Sequence, residues 1–212
     1  MALSKMTYDE LNQLVGYKVS EPFDEYYDPM RISEEQKRRR VDLAEYLDIV
    51  FIGLLSEYFY ADQIGAIVAS DIYERTRESY LDAVSQVGIE PDDYIITHGI
   101  ALIASTVEVL QRHRDDPYYY SHDRARAISE GESNSIWNHT EYEDAAKSKR
   151  HKRWRTIMDG HERDSHAEVN GVVLPINEPF LLRGGYVQFP RDDSLGVDET
   201  ETSGCRCSLE FF

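Results

Sequence analysis

Trp154-Arg155-Thr156-Ile157-Met158-Asp159-Gly160-His161-Glu162-Arg163-Asp164-Ser165-His166 is where the pattern of this chain changes. Before it, apolar residues recur at helical spacing. After it they come as short pieces broken by Gly, Pro and Asn, through Asn170-Gly171 and Pro190 to Cys205-Arg206-Cys207. The pieces at 172–176, 186–189 and 205–211 have strand length and turn residues between them, so they read as strands of a small antiparallel sheet. The fold class that follows is α+β, a mainly α-helical N-terminal region with a small C-terminal antiparallel β-sheet domain.

Upstream, two capping boxes mark helix starts. Thr7 with Glu10 opens a short helix to about Gly16, and Ser33 with Gln36 opens a long one carrying Val41, Ala44, Leu47, Val50, Phe51, Leu54, Leu55 and Tyr58 on one face. Between them, residues 17–30 hold Pro22, Phe23, Tyr26, Tyr27 and Pro29 without helical period, which reads as an extended linker laid on a partner surface. A second long helix buries Ile64, Ile67, Val68, Ile72, Leu81, Val84 and Val87 and ends at Gly88. A third starts at Pro91-Asp92-Asp93, turns Ile96, Ile100, Ile103, Val107 and Leu110 inward, and stops at Asp115-Asp116-Pro117. Residues 121–153 are polar and weakly periodic through Ala125, Ile128, Ser135, Asn138 and Ala145, and read as a long helix with an exposed middle. The expected division is an arm and linker at 1–32, a helical domain at 33–153 and an α+β domain at 154–212.

The chain has 212 residues and a formal charge of −17, so its body is a poor match for the phosphates of duplex DNA and suits a basic protein partner. Lys147, Lys149, Arg150, Lys152, Arg153 and Arg155 run against that charge. They read either as a contact to DNA, weak and non-specific, or to an acidic partner, or as a solvated helix end whose cations complement the helix dipole while Trp154 faces the core. Trp137 and Tyr118, Tyr119 and Tyr120 read as interface anchors or as core packing. Two cysteines one residue apart are no secreted disulfide framework, and the first residues lack a signal-peptide core, so synthesis in a reducing cytoplasm is expected. The longest apolar run, residues 49–55, is too short to span a bilayer, and no membrane insertion is expected.

The polar run supports three chemistries. His161, His166, Cys205 and Cys207 have the number and kind of ligands of a structural zinc site. Alternatively the run is a hydrogen-bonded buckle, in which Asp159 accepts from Arg163 or from backbone N–H groups and a carbonyl of the cysteine strand fixes His166. A third reading makes His166 a general base oriented by Asp159, with Arg163 on an anion, but no phosphate loop or nucleophile elbow completes it. A disulfide between Cys205 and Cys207 fits badly in one extended strand, where alternate Cα atoms lie roughly 7 Å apart, so free thiols are expected.

Lys152-Arg153-Trp154, Asp159, Arg163, His166, Asn170-Gly171, Pro175-Ile176-Asn177-Glu178-Pro179-Phe180, Phe189-Pro190 and Cys205-Arg206-Cys207, in that order, resemble the phage head morphogenesis family, the minor head proteins similar to phage Mu protein F. Glu132 and Asn134 stand where the family tends to carry a Glu and a small polar residue. This chain has His161, Arg191 and Gly204 where the family usually has Arg, often Gly, and usually Asn. The resemblance implies a non-enzymatic, few-copy component of a tailed-phage head that docks on the portal protein, with the scaffold or major capsid protein as further partners. It implies roles in head assembly and in DNA packaging or ejection, and a place in the virion near the portal vertex. The alternative is a phage-encoded enzyme or toxin that uses Asp159, Arg163 and His166.

Overall fold

The computed structural model describes residues 22–64 and 69–212, together with Thr7, Glu10 and Gln13. Its architecture is α+β, with helices first and small antiparallel sheets last. The chain forms two compact units, one built on residues 42–130 and the other on residues 23–41 with 131–212. The expected boundaries at 32/33 and 153/154 both fall inside the second unit.

Both capping boxes form. Thr7 N–H donates to Glu10 Oε2 at 2.8 Å while Glu10 N–H donates to Thr7 Oγ1 at 3.2 Å, and Ser33 and Gln36 exchange the same pair at 2.9 and 3.3 Å. The expected helix from Thr7 to Gly16, the linker at 17–21, and Ile67 and Val68 lie outside the described residues. The linker reading fails for the remainder of 17–30. Asp24–Tyr27 is a short helix, α1, Tyr27 and Met30 are buried, and Lys37 bonds the carboxylates of Asp24 and Asp28. Its aromatics have a local core after all.

In the first unit, α2 (Glu34–Ile64) buries Leu43, Ala44, Leu47, Phe51, Leu54, Leu55 and Phe59, a stripe at helical spacing. Its first two turns belong to the second unit. Helix α3 (Ala69–Gln86) buries Ile72, Tyr80, Ala83 and Val84, and Gly88 follows with φ 81°, the left-handed conformation that ends helices and that Gly adopts without strain. Asp92 caps α4 (Asp93–Arg112) by accepting from Ile95 N–H at 3.0 Å. The buried face of α4 is Ile95, Gly99, Ile103, Thr106 and Leu110, one residue round from the expected Ile96, Ile100, Ile103, Val107 and Leu110. On that face the Tyr80 ring lies against Gly99, 2.2 Å from where a Cβ would sit. Among the described residues α4 is the one helix long and apolar enough to cross a membrane by length and composition.

Pro117–Tyr120 is a 3-10 turn that buries Tyr120 against Phe59, ring centroids 5.6 Å apart, and leaves Tyr118 exposed. Helix α5 (His122–Ala146) follows, and its middle is the opposite of the exposed surface expected. Every residue from 128 to 139 is buried, among them Ser129, Glu132, Ser133, Asn134, Ser135, Asn138 and His139.

The basic segment is not a helix end. Helix α5 stops at Ala146, and His151–Arg155 is β1, the central strand of a three-stranded antiparallel sheet ordered β2 (Val173–Pro175), β1, β5 (Ser208–Phe211). Alternation explains the mistake: Lys152 and Trp154 point in and are fully buried, while Arg153 and Arg155 point out onto Glu210. The strands β3 (Phe180–Leu182) and β4 (Gly185–Val187) form a separate hairpin. Two short helices, α6 (Asp164–Val169) and α7 (Glu199–Thr202), complete the second unit.

Candidate functional site

Residue Trp154, in the middle of β1, organises the site. Its ring packs edge-on against His166 and Phe180, with centroids 5.7 and 5.1 Å away, and its indole N–H donates to Thr156 Oγ1 at 3.0 Å. The Thr156 hydroxyl donates to the carbonyl of His166 at 2.7 Å, and its N–H donates to Asn170 Oδ1 at 3.0 Å. Gly171, at φ 82°, closes the turn and donates its N–H to the Trp154 carbonyl at 2.9 Å. The Asn170-Gly171 pair therefore fastens α6, which carries His166, to the central strand.

The cysteines reach the same point from the other end of the chain. Residues 205–207 precede β5 and are not strand, and Gly204 at φ 64° turns the backbone so that both sulfurs face His166. His166 Nδ1 lies 3.7 Å from Cys205 Sγ and 3.4 Å from Cys207 Sγ, with all three residues buried and both thiols free. On the other side of the ring, Nε2 lies 3.3 Å from Glu201 Oε2, a carboxylate oriented by Ser165 Oγ at 2.7 Å and Gly184 N–H at 3.2 Å. The hydrogen bond from the Cys207 thiol, with help from His166, pulls Cys205 well below the ordinary thiol range against the opposing effect of burial. The same Cys205 sulfur, with burial, pushes Cys207 well above that range. Burial lowers His166, but the Cys205 sulfur outweighs it and leaves the imidazole raised.

The polar run is bonded: Asp159 accepts from a backbone N–H, as one of the expected arrangements has it, while Arg163 and His166 take other partners. Asp159 accepts from His161 N–H at 3.1 Å and from Arg206 Nη2 at 2.6 Å, and the first of these chiefly holds its carboxyl below the usual range. Arg163 donates to the Ser203 carbonyl instead of to Asp159. His166 is held by sulfurs and a carboxylate, not by a carbonyl of the cysteine segment. His161 is exposed and lies outside the cluster of His166, Cys205 and Cys207, although it lines the cleft above them with Asp159, Arg163 and Arg206.

Behind the cysteines lies a lattice of polar groups that the sequence did not announce. Asn134 Nδ2 donates to the carbonyls of Cys205 and Cys207 at 3.2 and 3.4 Å, and Asn138 Nδ2 to those of Cys207 and Pro190 at 3.2 and 3.4 Å. Fully buried Arg40 holds both amides in turn, Nε on Asn134 Oδ1 at 3.0 Å and Nη2 on Asn138 Oδ1 at 3.2 Å, while its fork grips Glu141 at 2.8 and 3.0 Å. The i, i+4, i+7 spacing of Asn134, Asn138 and Glu141 on α5 was the available signal. Arg40, Thr156 and Glu201 had none. Pro190 leads into Arg191, whose φ of 71° is the conformation Gly favours.

The possible DNA contacts are mostly occupied. Lys152 Nζ donates to the Gln188 carbonyl and Oε1 at 2.8 and 2.6 Å, and burial, partly opposed by Asp192, brings it down to about 8. Arg153 and Arg155 share Glu210, and Lys147 pairs with Asp144. Trp137 donates its indole N–H to the Arg39 carbonyl at 2.8 Å and is core.

A small α+β unit whose histidine and paired cysteines are buttressed by a buried arginine and asparagine lattice is the class this fold and site define. The family described as phage Mu protein F like matches residues 96–210, more than half of the chain and well beyond the motifs alone, and the chain belongs to that family. This makes it a phage head morphogenesis protein. Neither the curated proteins nor the solved structures give a match.

Proposed function

We propose that the chain is a minor head protein of a tailed phage that docks at the portal, acts in head assembly and DNA packaging or ejection, and does so without catalysis. Family membership supplies the head assignment. The observation that supports a non-catalytic role is that the polar run is consumed internally: Asp159 by His161 N–H and Arg206, and Arg163 by the Ser203 carbonyl. Asp159 thus does not orient His166 as a base would require, which weighs against an enzyme or toxin built on Asp159, Arg163 and His166. The net charge of −17 and the pairing of Arg153 and Arg155 support at most weak, salt-sensitive DNA contact. The reading includes no membrane insertion, and α4 buries one face, Ile95, Gly99, Ile103, Thr106 and Leu110, within the helical unit.

The test is to quantify the chain in purified heads assembled with and without portal protein. The reading expects a few copies per head when portal is present and none in portal-less heads. Equal amounts in both would overturn it.

A further inference from the structure

Two buried thiols and an imidazole meet at one point, and the geometry of that meeting is what a metal needs. We propose that His166 Nδ1, Cys205 Sγ and Cys207 Sγ bind a zinc ion whose fourth coordination position opens onto the cleft lined by Asp159, His161, Arg163 and Arg206.

The spacing comes first. The three ligand atoms all lie within 4.8 Å of one another, and Nδ1 is 3.7 and 3.4 Å from the two sulfurs. Tetrahedral zinc with bonds of about 2.3 Å to sulfur and about 2.05 Å to nitrogen has N···S edges of about 3.6 Å, between the two observed values. The backbone is arranged for chelation: an extended Cys-x-Cys would send its sulfurs to opposite faces, but the left-handed Gly204 and the irregular 205–207 segment send both to His166. Soft thiolates with one imidazole favour zinc over calcium or magnesium, which take oxygen ligands.

The surroundings supply the second observation. Ligating histidines normally give their other N–H to a carboxylate, which fixes the tautomer. Here Nε2 is a buried atom without a hydrogen bond among the described residues, and Glu201 Oε2 is 3.3 Å away. A metal on Nδ1 leaves the proton on Nε2, where it faces that carboxylate. Glu201 is itself held by Ser165 and by Gly184 N–H, and the Cys205 and Cys207 carbonyls are held by Asn134 and Asn138, so the ligand loop is positioned before any ion arrives. The cleft offers the fourth position to a water or to His161, whose own place is on the rim.

The purified full-length chain, stripped by chelator and dialysed against zinc or cobalt(II), tests this. The expected result is one equivalent of metal, and a cobalt form with a thiolate-to-cobalt charge-transfer band and visible bands of tetrahedral intensity. Cys207→Ser should lose most of that charge-transfer intensity. Because a ligand variant can unfold, Glu201→Gln is the second arm: it should stay folded by circular dichroism and bind cobalt about 10- to 100-fold more weakly. A folded wild-type chain that retains no metal, or a cobalt form without the charge-transfer band, overturns the site. Unchanged affinity in Glu201→Gln overturns the part assigned to the carboxylate.

Discussion

Arg40 and Asp48 stand two turns apart on α2, and their surroundings are opposites. Arg40, in the unit that carries the cysteines, spends its guanidinium N–H groups on Gln36, Asn134, Asn138 and Glu141. Asp48, in the helical unit, is half-buried with the charges of Arg126 and Glu130 acting on it, and its Oδ1 accepts no hydrogen bond among the described residues. The helical unit is held by hydrophobic burial, which is non-directional and tolerates an awkward carboxylate at a cost. The second unit is held in large part by directional bonds. Each works only if its partners are present, so it specifies the loop geometry at Cys205 and Cys207 more sharply than apolar packing does.

The comparison breaks most visibly at Arg40. Arg40→Met leaves the largely covered Glu141 carboxylate without its partner and frees both asparagines, and about 3–5 kcal/mol of stability should be lost. Denaturant unfolding followed by Trp137 and Trp154 fluorescence measures it. A loss below about 1 kcal/mol, the usual value of a surface pair, would mean the lattice is ornamental.

A smaller effect is expected in the helical unit at Gly99, where shape and not charge is the constraint. Gly99→Ala puts a methyl on the Tyr80 ring, and thermal unfolding should show about 1–3 kcal/mol of destabilisation. Tyr80→Leu in the same background should recover part of it, since the ring is what the methyl meets. No recovery would place the strain elsewhere.

Asp48 gives an effect whose size depends on pH. Burial raises its carboxyl from 3.8 to about 6, with Arg126 pulling the other way and Glu130 adding to the rise. The folded state then holds this proton more tightly than the unfolded state, so its contribution to stability is greatest below 3.8 and is lost as pH climbs to about 6. Asp48→Asn should therefore be more stable than the parent at pH 7 and show no gain at pH 3.5. An equal gain at both values would remove Asp48 titration as the cause.

The same contrast decides what could be read from the sequence. Both capping boxes, the Asp92 cap, the stop at Gly88 and most of the α2 stripe follow from local rules and are found in the structure. Where burial is polar, those rules point the wrong way. Residues 128–139 look like a solvated face because most of them are Ser, Glu and Asn, yet all are buried, with Asn134 and Asn138 satisfied by Arg40 and the carbonyls at 190, 205 and 207. Strand β1 hid among its own cations, since a run of Lys and Arg resembles a helix end unless the alternation of Lys152 and Trp154 with Arg153 and Arg155 is noticed. Of the candidate site, Asp159, His166 and the cysteines were visible as unusual residues. Thr156, Glu201 and Arg40 were not, because nothing local ties them to residues 10, 35 and 94 or more positions away.

Portal docking is the claim on which the biology rests, and binding to assembled portal rings tests it most directly. The full chain and one beginning at Pro22, which keeps Tyr27 and Met30 in their core, would each be sedimented with rings formed from the portal protein of the same phage. Docking predicts that the full chain travels with the rings, and loss of binding in the shorter chain would assign the contact to the first 21 residues. A folded full-length chain that stays behind while intact rings sediment would contradict the account.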